Sequence, residues 1–196
     1  MTLSFLASTI GFSQNSISQK VDKTYIKREL TIEPGIGIHT NFGTDLLISN
    51  LIQWNPQKRL SLASHSSFNI NNIFQRDFEG VKTNENYSIN QKFGVGTTFY
   101  CKRSTHTFLL MGGVKFSEFH ESVLTPENKE VGVNITSLSP DFGLMYGLKK
   151  GVKNKFFSFR FYLPLYPYPF KGSDINYFDG NMNNIALEFG VGMKIK

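Results

Sequence analysis

The sequence predicts an all-β protein: an eight-stranded antiparallel up-and-down transmembrane β-barrel. Three observations predict it. Apolar residues alternate with period two through eight runs, which is how a strand with two unlike faces reads. The face opposite the apolar one is rich in glycine and charge, as a narrow barrel interior needs. After the first hairpin, whose connection at Phe42-Gly43 is unusually short, the gaps between runs alternate short and long, the rhythm of a membrane barrel with tight turns at one end and loops at the other.

Composition narrows the field. The chain has 196 residues, with 18% charged and 14% aromatic. Soluble domains carry about 25% charged residues. The chain is therefore low in charge and aromatic, with a mean hydropathy of only −0.22. This excludes a disordered chain. No apolar stretch nears the length of a membrane-spanning helix. The single cysteine, Cys101, excludes an internal disulfide framework.

The last run, 184–196, alternates most cleanly. Ile185, Leu187, Phe189, Val191, Met193 and Ile195 form one face, and Ala186, Glu188, Gly190, Gly192 and Lys194 lie on the other. About eleven residues suffice for a tilted strand to cross a bilayer. In 154–163, Phe157, Phe159, Phe161 and Leu163 oppose Ser158, Arg160 and Tyr162. In 138–149, Phe142, Leu144, Tyr146 and Leu148 oppose Asp141, Gly143, Met145, Gly147 and Lys149. Runs 105–117 and 88–101 set Phe108, Leu110, Val114, Ile89, Phe93 and Val95 against Thr107, Lys115, Asn90, Lys92, Gly94 and Gly96.

The three earlier runs are more diluted. In 60–70, Leu60, Leu62, Phe68 and Ile70 oppose Ser61, Ala63, His65, Ser67 and Asn69. In 31–41, Ile32, Ile36 and Ile38 oppose Glu33, Gly35, Gly37 and His39. Run 44–54 reads as a strand, with Leu46, Ile48, Ile52 and Trp54 on one face. Leu47, Leu51 and Trp54 also sit at helical spacing, and Thr44 or Asp45 would cap a helix. The expected short connections are 55–58, 102–104 and 150–153. The expected long ones are 71–87, 118–137 and 165–183.

Ahead of the barrel domain, 30–196, lie two other segments. Residues 1–14, MTLSFLASTIGFSQ, read as a truncated secretory signal with a cleavage zone near 12–14. No cysteine stands there, so no lipid anchor is expected. Residues 15–29 form a polar segment.

Inward charges need partners. Glu33, Lys92, Lys115, Asp141, Arg160, Glu188 and Lys194 all have lumenal parity, so a salt-bridge and hydrogen-bond network is expected to fill the barrel. Eight strands leave room for side chains and not for an open pore. The outward candidates Trp54, Phe99, Phe116, Phe142, Phe157 and Phe161 suit lipid and its interfaces, and His106 falls at the interface beside a tight turn.

Chemical alternatives are few. His65, Ser67 and Glu188 supply the residue types of an acyl-transfer site, and small barrels that acylate or deacylate lipid A use a few such residues. However, no G-x-S-x-G is present, and lumenal parity keeps the three away from lipid. His120 beside Glu121, and Asp174 with Asp179, lack metal-ligand spacing, so no metal or cofactor is expected. The glycine pairs at 35/37, 94/96 and 190/192 lie inside strands and make no phosphate loop. The stretch LPLYPYPFKG places Tyr166, Tyr168 and Phe170 among prolines, as a rigid aromatic loop base or a recognition surface. Basic residues fall at segment ends and not on one stripe, so nucleic acid is not an expected partner.

On this alternation, and above all on its last strand, the chain resembles the small outer-membrane β-barrels of Gram-negative bacteria, of the OmpA/OmpX-like, Bacteroidetes type. The resemblance covers about residues 30–196. It implies an outer-membrane monomer surrounded by lipid, inserted by the barrel-insertion machinery, with a protein or surface ligand at its outer loops. One departure stands out: the chain ends Met193-Lys194-Ile195-Lys196, where family members often end in an aromatic residue. The leading expectation is a non-enzymatic structural, adhesive or surface-system accessory protein. The alternatives are a lipid-modifying barrel enzyme and a soluble lipocalin-like ligand-binding barrel.

Overall fold

The computed structural model describes residues 28–40, 44–70, 81–124, 130–152, 154–165 and 185–195. Its strands are β1 (Glu29–Thr40), β2 (Thr44–Asn55), β3 (Leu60–Ile70), β4 (Val81–Tyr100), β5 (Thr105–Leu124), β6 (Glu130–Val152), β7 (Lys155–Pro164) and β8 (Ile185–Ile195). Each pairs antiparallel with the next, and β1 pairs with β8 from Leu30↔Ile195 to Thr40↔Ile185, which closes the barrel. Closure removes the open backbone edges that a hydrocarbon surround does not tolerate.

The two faces fall as the alternation requires. Outward residues include Ile36 (63% exposed), Phe93 (64%), Phe157 (73%) and Phe189 (62%). Glu33, Lys92, Arg160 and Glu188 are buried in the lumen. Apolar exterior and polar interior are the reverse of what a soluble lipocalin-like barrel requires, so that alternative does not describe this molecule. A smaller apolar cluster shares the interior: Leu47, Leu51, Leu109, Met111, Met145 and Tyr162 among others.

The ambiguous run is strand β2. Ile48 lies between Ile36 on β1 and Phe68 on β3, while Leu47 and Leu51 point into the lumen. Ladder pairing on both sides decides against the helical spacing.

Three strands outrun their sequence expectation. β4 begins at Val81 and not at 88, β5 runs on to Leu124, and β6 begins at Glu130. Much of the expected loops 71–87 and 118–137 is therefore paired backbone, from Val81↔Val123 and Leu124↔Glu130 inward. The ladder continues there although polar residues interrupt the alternation of β4 and β5, and on β6 Val131, Val133 and Ile135 keep period two. Two smaller shifts complete the comparison. Glu29 belongs to β1 and not to the polar segment before it, and β6 and β7 pair to Val152↔Lys155.

Two glycines show why the lumenal face is small. A Cβ on Gly37 would run into the Leu187 carbonyl and lie 2.9 Å from Cα of Glu188. One on Gly96 would strike the Phe108 carbonyl and lie 2.8 Å from Cα of Leu109. The neighbouring backbone comes too close there for any side chain. The expected signal at 1–14 and most of the segment at 15–29 lie outside the described residues.

Candidate functional site

Lumenal parity brings polar side chains from all eight strands into one interior, and they sort into levels along the barrel axis. At the level nearest the short turns, Lys149 on β6 forms an ion pair with Glu33 on β1. Its ammonium also donates to Oε1 of Gln53 (2.8 Å) and Oγ1 of Thr31 (3.1 Å). Gln53 in turn donates to Asn55 (2.9 Å) and Thr98 (3.1 Å), and Ser61 bridges the same group.

The middle level centres on Glu188 of β8. Its carboxylate accepts from Arg160 Nη2 (3.0 Å) on β7, Ser49 Oγ (2.6 Å) on β2, and contacts His65 Nε2 (3.0 Å) on β3. Arg160 also donates to the Glu33 carbonyl (2.9 Å), which ties this level to the first. On the next level Asp141 of β6 pairs with Lys92 of β4 at 2.9 Å. It also accepts from Asn90 (2.5 Å) and Tyr162. The Lys92 ammonium lies 3.6 Å from the centre of the Tyr162 ring. Each of these charges thus meets an opposite charge, with neutral donors beside the carboxylates and neutral acceptors or a ring face beside the cations, the condition for keeping ions in a dry interior.

Of the residues expected in a lumenal network, Glu33, Lys92, Asp141, Arg160 and Glu188 come together in these clusters. Lys115 is buried on the lumenal face of β5. Lys194 stands at the barrel mouth, 3.1 Å from Glu29 and partly exposed. Sequence reasoning left Lys149, Gln53 and Tyr162 out of the network. Their signal was the same lumenal parity, hidden because Tyr and Gln are not read as charges, and because Lys149 abuts Lys150.

The acyl-transfer residues do not form a catalytic chain. His65 Nε2 is held by Glu188, and its Nδ1 has no hydrogen-bond partner. Ser67 therefore makes no link to the imidazole, and the hydroxyl on the carboxylate is that of Ser49. A nucleophile needs a base within hydrogen-bond reach. Tyr166, Tyr168 and Phe170 lie outside the described residues. Among the described residues no three His, Cys, Asp or Glu side chains gather to hold a metal ion.

On the outside, the short-turn end carries an aromatic group. Phe99 and Phe108 lie 6.2 Å apart, and Phe108 and Tyr146 5.1 Å apart, by ring centroids. The Tyr146 hydroxyl meets His106 Nδ1 at 2.8 Å. Amphipathic rings of this kind suit the boundary between hydrocarbon and headgroups.

No family model matches the chain, and no curated protein matches it. Solved structures do. A major outer membrane protein from Thermus thermophilus superposes with a TM-score of 0.51 at 13% identity, covering 86% of this chain and 99% of that one. Neisserial surface protein A gives a TM-score of 0.45 at 11% identity, covering 86% and 96%. Ail, the attachment invasion locus protein of Yersinia pestis, solved with the heparin analogue sucrose octasulfate, gives 0.46 at 10%, covering 86% and 97%. At these identities the likeness is one of fold. The closed antiparallel barrel of eight strands is the fold of the small outer-membrane β-barrels.

Proposed function

We propose that the chain is a non-enzymatic outer-membrane protein whose barrel is a sealed scaffold and whose long-connection end does the recognising. The observation that carries this reading is the filled lumen. Glu33–Lys149 and Lys92–Asp141 join strands that are not neighbours, Arg160–Glu188 joins β7 to β8 and reaches Ser49 on β2 and His65 on β3, and eight strands leave little room beyond these levels. A barrel so filled gives its interior to stability, and partner contact falls to its ends. The apolar belt is the surface that lipid covers. In this reading β4, β5 and β6, which reach past β3 and β7 at the long-connection end, stand on the outer side, together with the connections that hold Tyr166, Tyr168 and Phe170. Both ends of the barrel chain and the three short turns lie on the periplasmic side. The role served is structural, adhesive, or accessory to a surface or secretion system.

The test is electrophoresis of purified outer membranes, boiled and unboiled. A compact unboiled band that shifts on heating is the expected result. Protein recovered in the soluble fraction with no shift overturns the reading. An epitope placed within 71–80 is expected to label on intact cells, and one placed within 56–59 only after permeabilisation. The opposite pattern reverses the orientation.

A further inference from the structure

The short-turn end of the lumen opens into a cavity of about 230 Å³ that the network described above does not fill. Its wall is built from the β4–β5 turn, the starts of β1 and β7 and the ends of β6 and β8. The basic groups on it are Lys102, Arg103, Lys149, Lys155 and Lys194, and the single acid is Glu29. Two of the five cations are already engaged: Lys149 by Glu33 at the floor, and Lys194 by Glu29. Lys102, Arg103 and Lys155 are exposed and form no ion pair among the described residues.

Neutral donors stand beside these cations. The Tyr100 oxygen accepts from Asn55 Nδ2 at 3.0 Å, which leaves its own proton free to donate elsewhere. Ser104 and Thr105 add hydroxyls to the wall. The Phe156 ring lies 5.3 Å from the Lys149 ammonium and gives the floor a dry side. A guanidinium, two free ammonium groups and several hydroxyls, with no free carboxylate on the wall, match a compact oxyanion carrying more than one charge. The volume admits such an anion with bound water, at about 30 Å³ per water molecule.

The charge around the cavity has the same sign. Across the short turns and the two barrel ends, Lys58, Arg59 and Lys150 join the basic residues of the wall, and Glu29 is the one acidic side chain. The far end is acidic in sequence, with Asp77, Glu79, Glu118, Glu121, Glu127 and Glu130 at or near the long connections. A field graded this way draws anions to the basic mouth.

We propose that this mouth is a phosphate-binding site. It takes either free phosphate or the phosphate of a phospholipid headgroup from the leaflet that the short turns meet. The inference goes beyond the scaffold role. Its free-phosphate arm does not depend on the outer-membrane assignment.

The experiment uses the full chain folded in a non-ionic detergent, with the heat-shifted band confirming folding of every variant. Inorganic phosphate is titrated by calorimetry at constant ionic strength. Separately, the protein is placed in nanodiscs of phosphatidylcholine with and without phosphatidylglycerol, and lipid enrichment is read by phosphorus NMR. Saturable phosphate binding that weakens at least tenfold in Lys102→Gln/Arg103→Gln, and further with Lys155→Gln, is expected. Lys58→Gln/Arg59→Gln removes the same charge from a turn outside the cavity and is expected to leave binding unchanged. Lys102→Arg is expected to retain it. Binding of inorganic phosphate without phosphatidylglycerol enrichment assigns the free anion, and the reverse assigns the lipid headgroup. No binding in either arm overturns the proposal. So does binding that falls equally in both double variants, because that is diffuse charge and not a site.

Discussion

Arg160 is the largest of the fully buried side chains, and its guanidinium makes three directed contacts: Glu188, Ser49 and the Glu33 carbonyl. Arg160→Met would leave the Glu188 carboxylate buried without its strongest partner. Breaking a buried pair from one side costs about 3–5 kcal/mol. The expected readout is a large fall in the urea midpoint of the heat-shifted band. Arg160→Met/Glu188→Met removes both charges and is expected to recover much of that loss, since an apolar pair of similar volume is often neutral. Failure of the double variant to recover would mean that neighbours such as Ser49 and His65 carry the stability instead. The glycines divide in the same local way. Gly37→Ala is expected to destabilise, because the added carbon meets the backbone of Leu187 and Glu188. Gly147→Ala is expected to be neutral, because its nearest neighbour would be Thr107 Cβ at an ordinary 3.8 Å. Comparing the two midpoints separates close backbone approach from any general need for small residues.

The strands carry a second kind of constraint, set by which side of the wall a residue occupies. Phe189 lies near the middle of β8, opposite Ile36 and Phe159, and 62% of it is exposed. In lipid, Phe189→Arg places a charge near the midplane at a cost of about 2–4 kcal/mol. The expected result is weaker folding into vesicles, while Phe189→Leu folds normally. Equal folding of both variants in vesicles would argue against a lipid-facing belt. The neighbouring position, Glu188, has the opposite requirement, and one step in register exchanges the two. This is why the cleanest alternation, that of β8, sets Glu188 on the face opposite Phe189. The same reasoning failed for the outer parts of β4, β5 and β6. In β4 and β5 polar residues break up the pattern there, whereas in β6 Val131, Val133 and Ile135 keep period two inside what was read as a long connection.

For the whole molecule, lumenal packing and closure set the permeability. The three lumenal ion pairs lie at successive depths, and Leu47, Leu51, Met111 and Met145 share the interior with them. Reconstituted into planar bilayers, the protein is expected to give no steady single-channel conductance. A regular open level comparable to that of a pore would contradict the sealed lumen. Closure also makes folding cooperative. Every strand has two neighbours only when β1 meets β8, so deleting 185–195 exposes two edges and is expected to abolish the compact band altogether.

Much of this was legible in the chain itself. Period-two alternation gave the all-β class and the count of eight strands. It also assigned residues such as Phe93, Lys92, Phe189 and Glu188 to their faces, because pleating places successive side chains on opposite sides. It gave seven charged residues lumenal parity, of which Lys194 lies at the barrel mouth, partly exposed. Pairing in space decided the rest. Alternation says that Arg160, Glu188, His65 and Asp141 point inward, but the stagger between strands decides which of them meet. That stagger joins Glu188 to Arg160, His65 and Ser49, and reserves Asp141 for Lys92, Asn90 and Tyr162. The β2 strand and the long ends of β4, β5 and β6 were likewise settled by neighbours, because backbone hydrogen bonds depend on the strand alongside.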